Sequence, residues 1–93
     1  MNIVHIPGQN RGEVFLYALS TCVWCKKTKA FLDDARVDYR YIDVDLLKGE
    51  ERDTVVAELA NWNPRRNFPT IVINNKDVVV GFKPDRLKEL LGL

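Results

Sequence analysis

Two cysteines separated by two residues are the groups in this chain whose types and spacing most clearly predict chemistry. Cys22 and Cys25 lie in the stretch "STCVWCKK", and the sequence contains no other cysteine. A thiolate at the first position can attack a disulfide, and a second thiol close behind it can resolve the mixed disulfide that results. The spacing therefore predicts a redox-active pair, in which one sulfur attacks and the other releases the product.

Three other uses of a cysteine pair compete with this interpretation. A structural zinc site takes about four ligands, and the chain supplies two cysteines and one histidine, His5. A structural disulfide across two residues would close too small a loop to restrict the unfolded chain much. An iron–sulfur cluster held between two chains, with one cysteine from each and two small thiols, remains compatible with the ligand count. The redox interpretation is favoured because spacing and context agree, so no metal ligand and no tightly bound cofactor is predicted.

Alternating strands and helices are predicted to position the pair. Short runs rich in β-branched and aromatic residues predict four strands, at 13–19, 37–44, 70–74 and 78–82. Apolar residues at helical spacing predict three helices, at 24–35, 50–61 and 84–91. The order βαβαββα makes the first two strands parallel and the last two antiparallel. We therefore expect an α/β fold with a mixed four-stranded sheet flanked by three helices.

The first twelve residues lie outside this pattern. We divide the chain into an N-terminal extension, 1–12, and a domain, 13–93. The extension is expected to be either an extra edge strand at Ile3 to Ile6 or a loose tail.

The predicted elements place the two cysteines at different points of one strand-to-helix junction. Cys22 is expected to end the first strand, and Cys25 to lie one turn into the following helix. Backbone N–H groups and the helix dipole favour an anion at the first sulfur. Lys26 and Lys27 add positive charge nearby. The first cysteine is therefore the expected nucleophile.

Composition and charge exclude several classes of protein. A chain of 93 residues with 46% hydrophobic residues is expected to form one small domain with its own core. Its formal net charge of +1, with acids and bases interspersed, lacks the field that nucleic-acid binding requires. The N-terminal stretch through Glu13 lacks the apolar core of a signal peptide or membrane span. We expect a cytoplasmic monomer with neither a membrane nor a nucleic-acid partner.

The chain resembles the glutaredoxins of the thioredoxin superfamily in three segments, "YALSTCVWCKKTKAFLDD", "RNFPTIVIN" and "VVVGFKPDRLKELL". These segments occur in the family's order and spacing from about Val14 to Leu91. The resemblance implies a thioredoxin-like fold and a thiol–disulfide oxidoreductase that reduces protein or small-molecule disulfides. It also implies that Cys22 is the nucleophile, that Cys25 resolves, and that a cis peptide bond precedes Pro69 beside the sulfurs.

The resemblance further implies a binding surface around the cysteines. A cis bond at Pro69 would turn the backbone of Phe68 outward, where its N–H and C=O can pair with an extended substrate. In the family, a basic residue at the place of Arg66, which follows Arg65, helps to hold a glutathione carboxylate. Asp85 matches an acidic position that meets the γ-glutamyl amine.

The reductant is harder to predict because the glutathione pattern is incomplete. Glutathione-binding members usually carry a lysine before the motif, Pro-Tyr inside it and Gly-Gly before the last helix. This chain has Leu19, Val23-Trp24 and Gly81-Phe82 at those places, and Phe82 would crowd the shelf where a glutathione backbone lies. The segment "GFKPD" resembles instead the redoxin that serves ribonucleotide reductase, which thioredoxin reductase reduces with NADPH. We expect that reductase, or glutathione or another low-mass thiol, to be the electron donor.

Three residues near the pair have two interpretations each. Trp24 is either the start of the helix's apolar stripe or an exposed aromatic lid over the sulfurs. Asp43 and Asp45 resemble a cation-binding pair, but we interpret them as solvent-facing residues on alternate positions of a strand.

A second class of function also fits the sequence. The chain would then be a cluster-carrying or redoxin-like binding module with little turnover. Colour distinguishes the two classes, because a dithiol enzyme is colourless and a cluster carrier is brown.

Overall fold

Five short strands form one mixed sheet in the computed structural model, which describes residues 2–93. The strands are β1 (Ile3–Ile6), β2 (Val14–Ala18), β3 (Tyr39–Asp43), β4 (Thr70–Ile73) and β5 (Asp77–Val80). Their order across the sheet is β1-β3-β2-β4-β5. β2 and β3 are parallel, and the other three neighbouring pairs are antiparallel. The predicted mixed sheet is therefore confirmed, with five strands instead of four.

Three helices cover both faces of the sheet. They are α1 (Val23–Asp34), α2 (Gly49–Trp62) and α3 (Pro84–Leu91). Side chains alternate along each strand, so one face packs against α1 and α3 and the other against α2. Helix α3 begins at a proline and ends at Gly92, whose φ of 68° is left-handed, as the sequence predicts for a glycine that closes a helix. This layering packs the buried face of α1, which carries Cys25, against the centre of the sheet.

The N-terminal extension contributes the edge strand that the sequence left as one of two possibilities. β1 pairs antiparallel with β3, from Ile3 opposite Ile42 to Ile6 opposite Tyr39. Further along, the Gln9 N–H donates to the Arg36 carbonyl at 2.7 Å, and the Gln9 carbonyl accepts from Asp38 at 2.9 Å. Residues 3–9 are therefore fixed to β3 and the turn before it, while the domain boundary after residue 12 stays a prediction.

Gly8 lies where the extension passes closest to the rest of the chain. A Cβ there would come within 2.6 Å of the Arg36 carbonyl oxygen and 2.7 Å of the Val37 carbonyl carbon. We expect Gly8→Ala to lower the free energy of unfolding by about 1–3 kcal/mol, because rigid backbone must move to admit the methyl group. Urea unfolding measures the loss. Gln9→Ala is the control, since Gln9 bonds to Arg36 and Asp38 through its backbone, and equal stability of the two variants would contradict the prediction.

Candidate redox site

Cys22 is the N-cap of α1, with an extended backbone (φ −81°, ψ 120°). Its Sγ accepts a hydrogen bond from the Cys25 backbone N–H at 3.2 Å, and both thiols are free. β2 ends at Ala18. The prediction that Cys22 ends the strand is therefore wrong, because a short loop separates the strand from Cys22. The loop turns the chain so that the first sulfur meets a backbone N–H at the start of the helix, that of Cys25.

The second sulfur has a different environment. Cys25 is fully buried, whereas Cys22 is partly exposed. Burial and the hydrogen bond to Cys22 raise the pKa of the Cys25 thiol to about 12, against which a hydrogen bond with the Leu19 backbone and, more weakly, the nearby Lys29 ammonium lower it. The accessible sulfur can meet a substrate disulfide, and the buried sulfur is held as a thiol one helical turn away.

The loop before Cys22 is tied to the turn that follows β3. Asp45 accepts a hydrogen bond from the Ser20 backbone N–H at 2.8 Å and a second from the Ser20 hydroxyl. These bonds hold the pKa of the Asp45 carboxyl below its usual range. Asp43 forms an ion pair with Lys29 at 3.1 Å and is only 15% exposed. The interpretation as solvent-facing strand residues is therefore wrong in part. Asp43 ends β3 but is mostly buried against Lys29 of α1, whereas Asp45 is exposed as expected but lies in a 3-10 turn, Val44–Leu46, after the strand.

Pro69 lies at the end of the loop before β4, and the Phe68–Pro69 peptide bond is cis, as the resemblance implies. Asn63 is buried inside this loop. Its amide donates to the Thr70 hydroxyl at 3.1 Å, and its carbonyl oxygen accepts the Arg65 backbone N–H at 3.2 Å. Asn63 and Thr70 were not among the residues predicted from the sequence. In the sequence, the only indication was that polar residues occur on both sides of the proline. The structure shows that these two are among the few polar residues that are buried.

Phe68 and Gly81 lie on either side of Pro69. The Gly81 N–H donates to the Pro69 carbonyl at 2.8 Å, which places the end of β5 beside the proline. The Phe68 ring packs against the cores on both sides of the sheet. Neither backbone polar group of Phe68 has a hydrogen-bond partner within residues 2–93. These two groups are free to pair with an added strand.

Three aromatic rings form what we call the aromatic ridge, Trp24, Phe31 and Phe82. Trp24 is 55% exposed and stacks on Phe82, with ring centroids 6.3 Å apart and planes at 27°. Phe82 meets Phe31 edge-on at 6.2 Å, and the Lys27 ammonium lies 4.6 Å above the Trp24 ring. Trp24 is thus outside the buried stripe of α1, and the structure joins it to the segment before α3.

The charged residues predicted to bind a thiol are exposed. Arg65 and Arg66 lie in the loop before Pro69, and Asp85 lies in the first turn of α3. The side chains of these three residues make no hydrogen bond or ion pair with any other described residue. The structure therefore leaves their charges available to a ligand and does not bring them into a common network.

Two negative findings apply to residues 2–93. In that range, no group of three or more histidine, cysteine, aspartate or glutamate side chains could hold a metal ion. Nor does that part of the chain contain a helix with the length and apolar character needed to cross a membrane.

Known proteins are similar to this chain in sequence and in fold. The profile of the glutaredoxin family matches residues 14–78. The glutaredoxin of Methanosarcina mazei is 46% identical, with a TM-score of 0.91 over 100% of this chain and 90% of that one. Methanoredoxin of Methanosarcina acetivorans is 45% identical, with a TM-score of 0.89 over 92% of this chain and 90% of that one.

A more distant structure is that of NrdH-redoxin from Escherichia coli, a glutaredoxin-like protein with a thioredoxin-like activity profile. It is 26% identical, with a TM-score of 0.66 over 84% of this chain and 93% of that one. The predicted thioredoxin-like fold is confirmed by these matches. The chain belongs to the glutaredoxin family of the thioredoxin superfamily, and Cys22 and Cys25 occupy its CxxC position.

Proposed function

We propose that the protein is a dithiol oxidoreductase that reduces disulfides. The Cys22 thiolate attacks one sulfur of the substrate disulfide, forms a mixed disulfide and expels the other sulfur as a thiolate. Cys25 then attacks Cys22, the Cys22–Cys25 bond forms, and the second substrate sulfur leaves. The substrate gains two electrons and two protons, and the enzyme dithiol loses them. A donor dithiol or two small thiols then reduce the internal disulfide.

The observation on which this proposal rests is the difference in exposure between two sulfurs that lie one helical turn apart. The partly exposed Cys22 Sγ receives the Cys25 N–H at the start of α1, while Cys25 is fully buried. Such a pair supplies one sulfur that a substrate can reach and another that reacts only after the first is engaged. A structural disulfide or a surface metal site would not need this difference.

The substrate surface that we propose includes Phe68, Pro69 and Gly81. The unpaired N–H and C=O of Phe68 support binding of an extended segment as an added strand. The aromatic ridge continues from Gly81 through Phe82 to the exposed Trp24 ring. It supports apolar contact with a protein substrate, because exposed aromatic rings are typical of protein-binding surfaces. Disulfide-containing proteins are therefore the proposed substrate class, and we place the protein in the cytoplasm as a monomer.

For the reductant, we propose thioredoxin reductase with NADPH, or a small anionic thiol, in preference to glutathione. The stack of Phe82 on Trp24 adds bulk beside the motif, where the family leaves room for glutathione. Arg65 and Arg66 present two exposed positive charges before Pro69, and an arginine binds a carboxylate or sulfonate through two hydrogen bonds.

Purified wild-type protein tests the proposal directly. We expect a colourless protein that reduces a protein disulfide catalytically when dithiothreitol is supplied, measured as turnovers per mole of enzyme. The reduced protein should also yield two thiol equivalents and form an internal disulfide on oxidation. A brown protein with little turnover would favour the cluster-carrying alternative instead.

A further inference from the structure

Lys29 lies one helical turn beyond Cys25 on α1. Residues four apart face the same side of a helix, with Cβ atoms about 5–6 Å apart, so the lysine stem starts close to the buried sulfur. The Lys29 side chain is only 20% exposed, and its Nζ lies 3.1 Å from Asp43 Oδ1. The same Nζ lies 4.0 Å from the centroid of the Tyr41 ring. A side chain that normally extends into water is thus held against the sheet.

The surroundings of Cys25 are otherwise apolar. Its core cluster receives apolar side chains from β2, β4 and α3, among them Leu16, Ile71 and Leu87. Lys29 is the cation whose charge acts on the Cys25 thiol. Two other titratable groups near Cys25 or Lys29 belong to α1 and its N-cap, Cys22 and Asp33. Those on or after β3 are Tyr39, Tyr41, Asp43 and Asp45.

We propose that Lys29 drives the resolving step, because its ammonium stabilises the Cys25 thiolate that attacks the mixed disulfide. Asp43 and the Tyr41 ring hold the ammonium in place. Lys29 and Asp43 are positioning residues that act through Cys25, since neither contacts the substrate. This inference rests on the proposed dithiol reaction and adds to it the group that supports its second half.

The chemistry of the mixed disulfide explains why this charge would help the resolving step. Once Cys22 is bonded to the substrate sulfur, it has lost its own charge, and burial alone opposes ionisation of Cys25. The Cys25 proton passes to solvent, the Cys25 sulfur bonds to Cys22, and the Cys22–substrate bond breaks. The substrate leaves as a thiolate, which takes up a proton from water. Lys29 is the described cation placed to stabilise the anion that starts this sequence.

Removal of the Lys29 charge is expected to slow the resolving step only moderately, because it lowers the fraction of Cys25 thiolate but makes that thiolate a better nucleophile. A rise of one unit in the thiol pKa lowers the thiolate fraction about tenfold below that pKa. The more basic thiolate is also a better nucleophile, by roughly threefold for the same rise. We therefore expect Lys29→Met to slow resolution about threefold to fivefold at neutral pH, and to move the rise of the rate toward higher pH.

Rapid mixing of the reduced protein with an aromatic disulfide whose thiol product is coloured separates the two steps. The first equivalent of coloured thiol reports attack by Cys22, and the second reports resolution by Cys25. We expect Lys29→Met to leave the first phase unchanged and slow the second. Lys29→Arg keeps the charge and should restore the second phase. Asp43→Asn should slow the second phase less than Lys29→Met does.

Lys29→Met removes the ammonium and also leaves the Asp43 carboxylate without its partner. The double variant K29M/D43N removes both charges and so distinguishes these two effects. We expect its second phase to remain slow, because the cation is still missing. Recovery of the wild-type rate in the double variant, or equal second phases in Lys29→Met and wild type, would overturn the role of Lys29. An Asp43→Asn rate at or above wild type would overturn the positioning role of Asp43. Failure of the proposed dithiol reaction itself is distinguishable, because the wild type would then release no second equivalent.

Discussion

Cys22→Ser is expected to abolish disulfide reduction, whereas Cys25→Ser should retain the first attack and accumulate a mixed disulfide. The accessible sulfur at the N-cap of α1 is the one that a substrate can reach, and the fully buried sulfur has no route to substrate except through Cys22. Removing a catalytic nucleophile costs on the order of 10³-fold or more in rate. Removing the resolving thiol stops the reaction one step later, with the substrate still attached.

Mass spectrometry of the intact protein after exposure to a disulfide substrate measures the difference. Cys25→Ser should carry one substrate thiol per chain, which dithiothreitol removes, and Cys22→Ser should carry none. Thr28→Ser is a matched control, because it alters the same buried face of α1 and leaves both sulfurs, so it should turn over like the wild type. Equal loss of activity in both cysteine variants, without a trapped adduct in either, would refute the assignment of roles.

The choice of electron donor is expected to show the second large effect. Thioredoxin reductase with NADPH, or a small anionic thiol such as 2-mercaptoethanesulfonate (coenzyme M), should reduce the Cys22–Cys25 disulfide about tenfold faster than glutathione does. A tenfold difference corresponds to about 1.4 kcal/mol, which we attribute to the missing lysine at Leu19 and the crowding by Phe82 together. Phe82→Gly removes the ring that stacks on Trp24 and should therefore raise kcat/KM with glutathione.

The two exposed arginines test the small-thiol route. Replacing Arg65 and Arg66 with alanine should raise KM for an anionic thiol and leave turnover with neutral dithiothreitol unchanged, because only the charged donor loses its counter-charge. Arg36→Ala is the control, since Arg36 is an exposed cation on the turn between α1 and β3. Wild-type turnover with glutathione that exceeds turnover with both other donors would be incompatible with the proposed preference.

The sequence was sufficient for the elements and for the redox pair, because both are encoded locally. The apolar run of β2 and the helical spacing of Cys25, Thr28 and Leu32 report burial directly. Two cysteines at this spacing between a strand and a helix are compatible with few functions, so their chemistry could be predicted from the sequence alone. The edge strand β1 was only one of two possibilities, since four residues with one partly buried side chain carry little periodic signal.

What the tertiary structure decided is which distant side chains complete the site. The contacts of Ser20 with Asp45, of Lys29 with Asp43 and of Trp24 with Phe82 join residues 14 to 58 positions apart in the chain. Local pattern indicates how exposed a position is, and it assigned both aspartates to solvent, which holds for Asp45 but not for Asp43. Only the parallel pairing of β2 with β3, which sets Ala18 beside Asp43, brings those carboxylates to the end of the sheet where α1 begins. Their partners follow from the packing of separate elements, which no short stretch of sequence encodes.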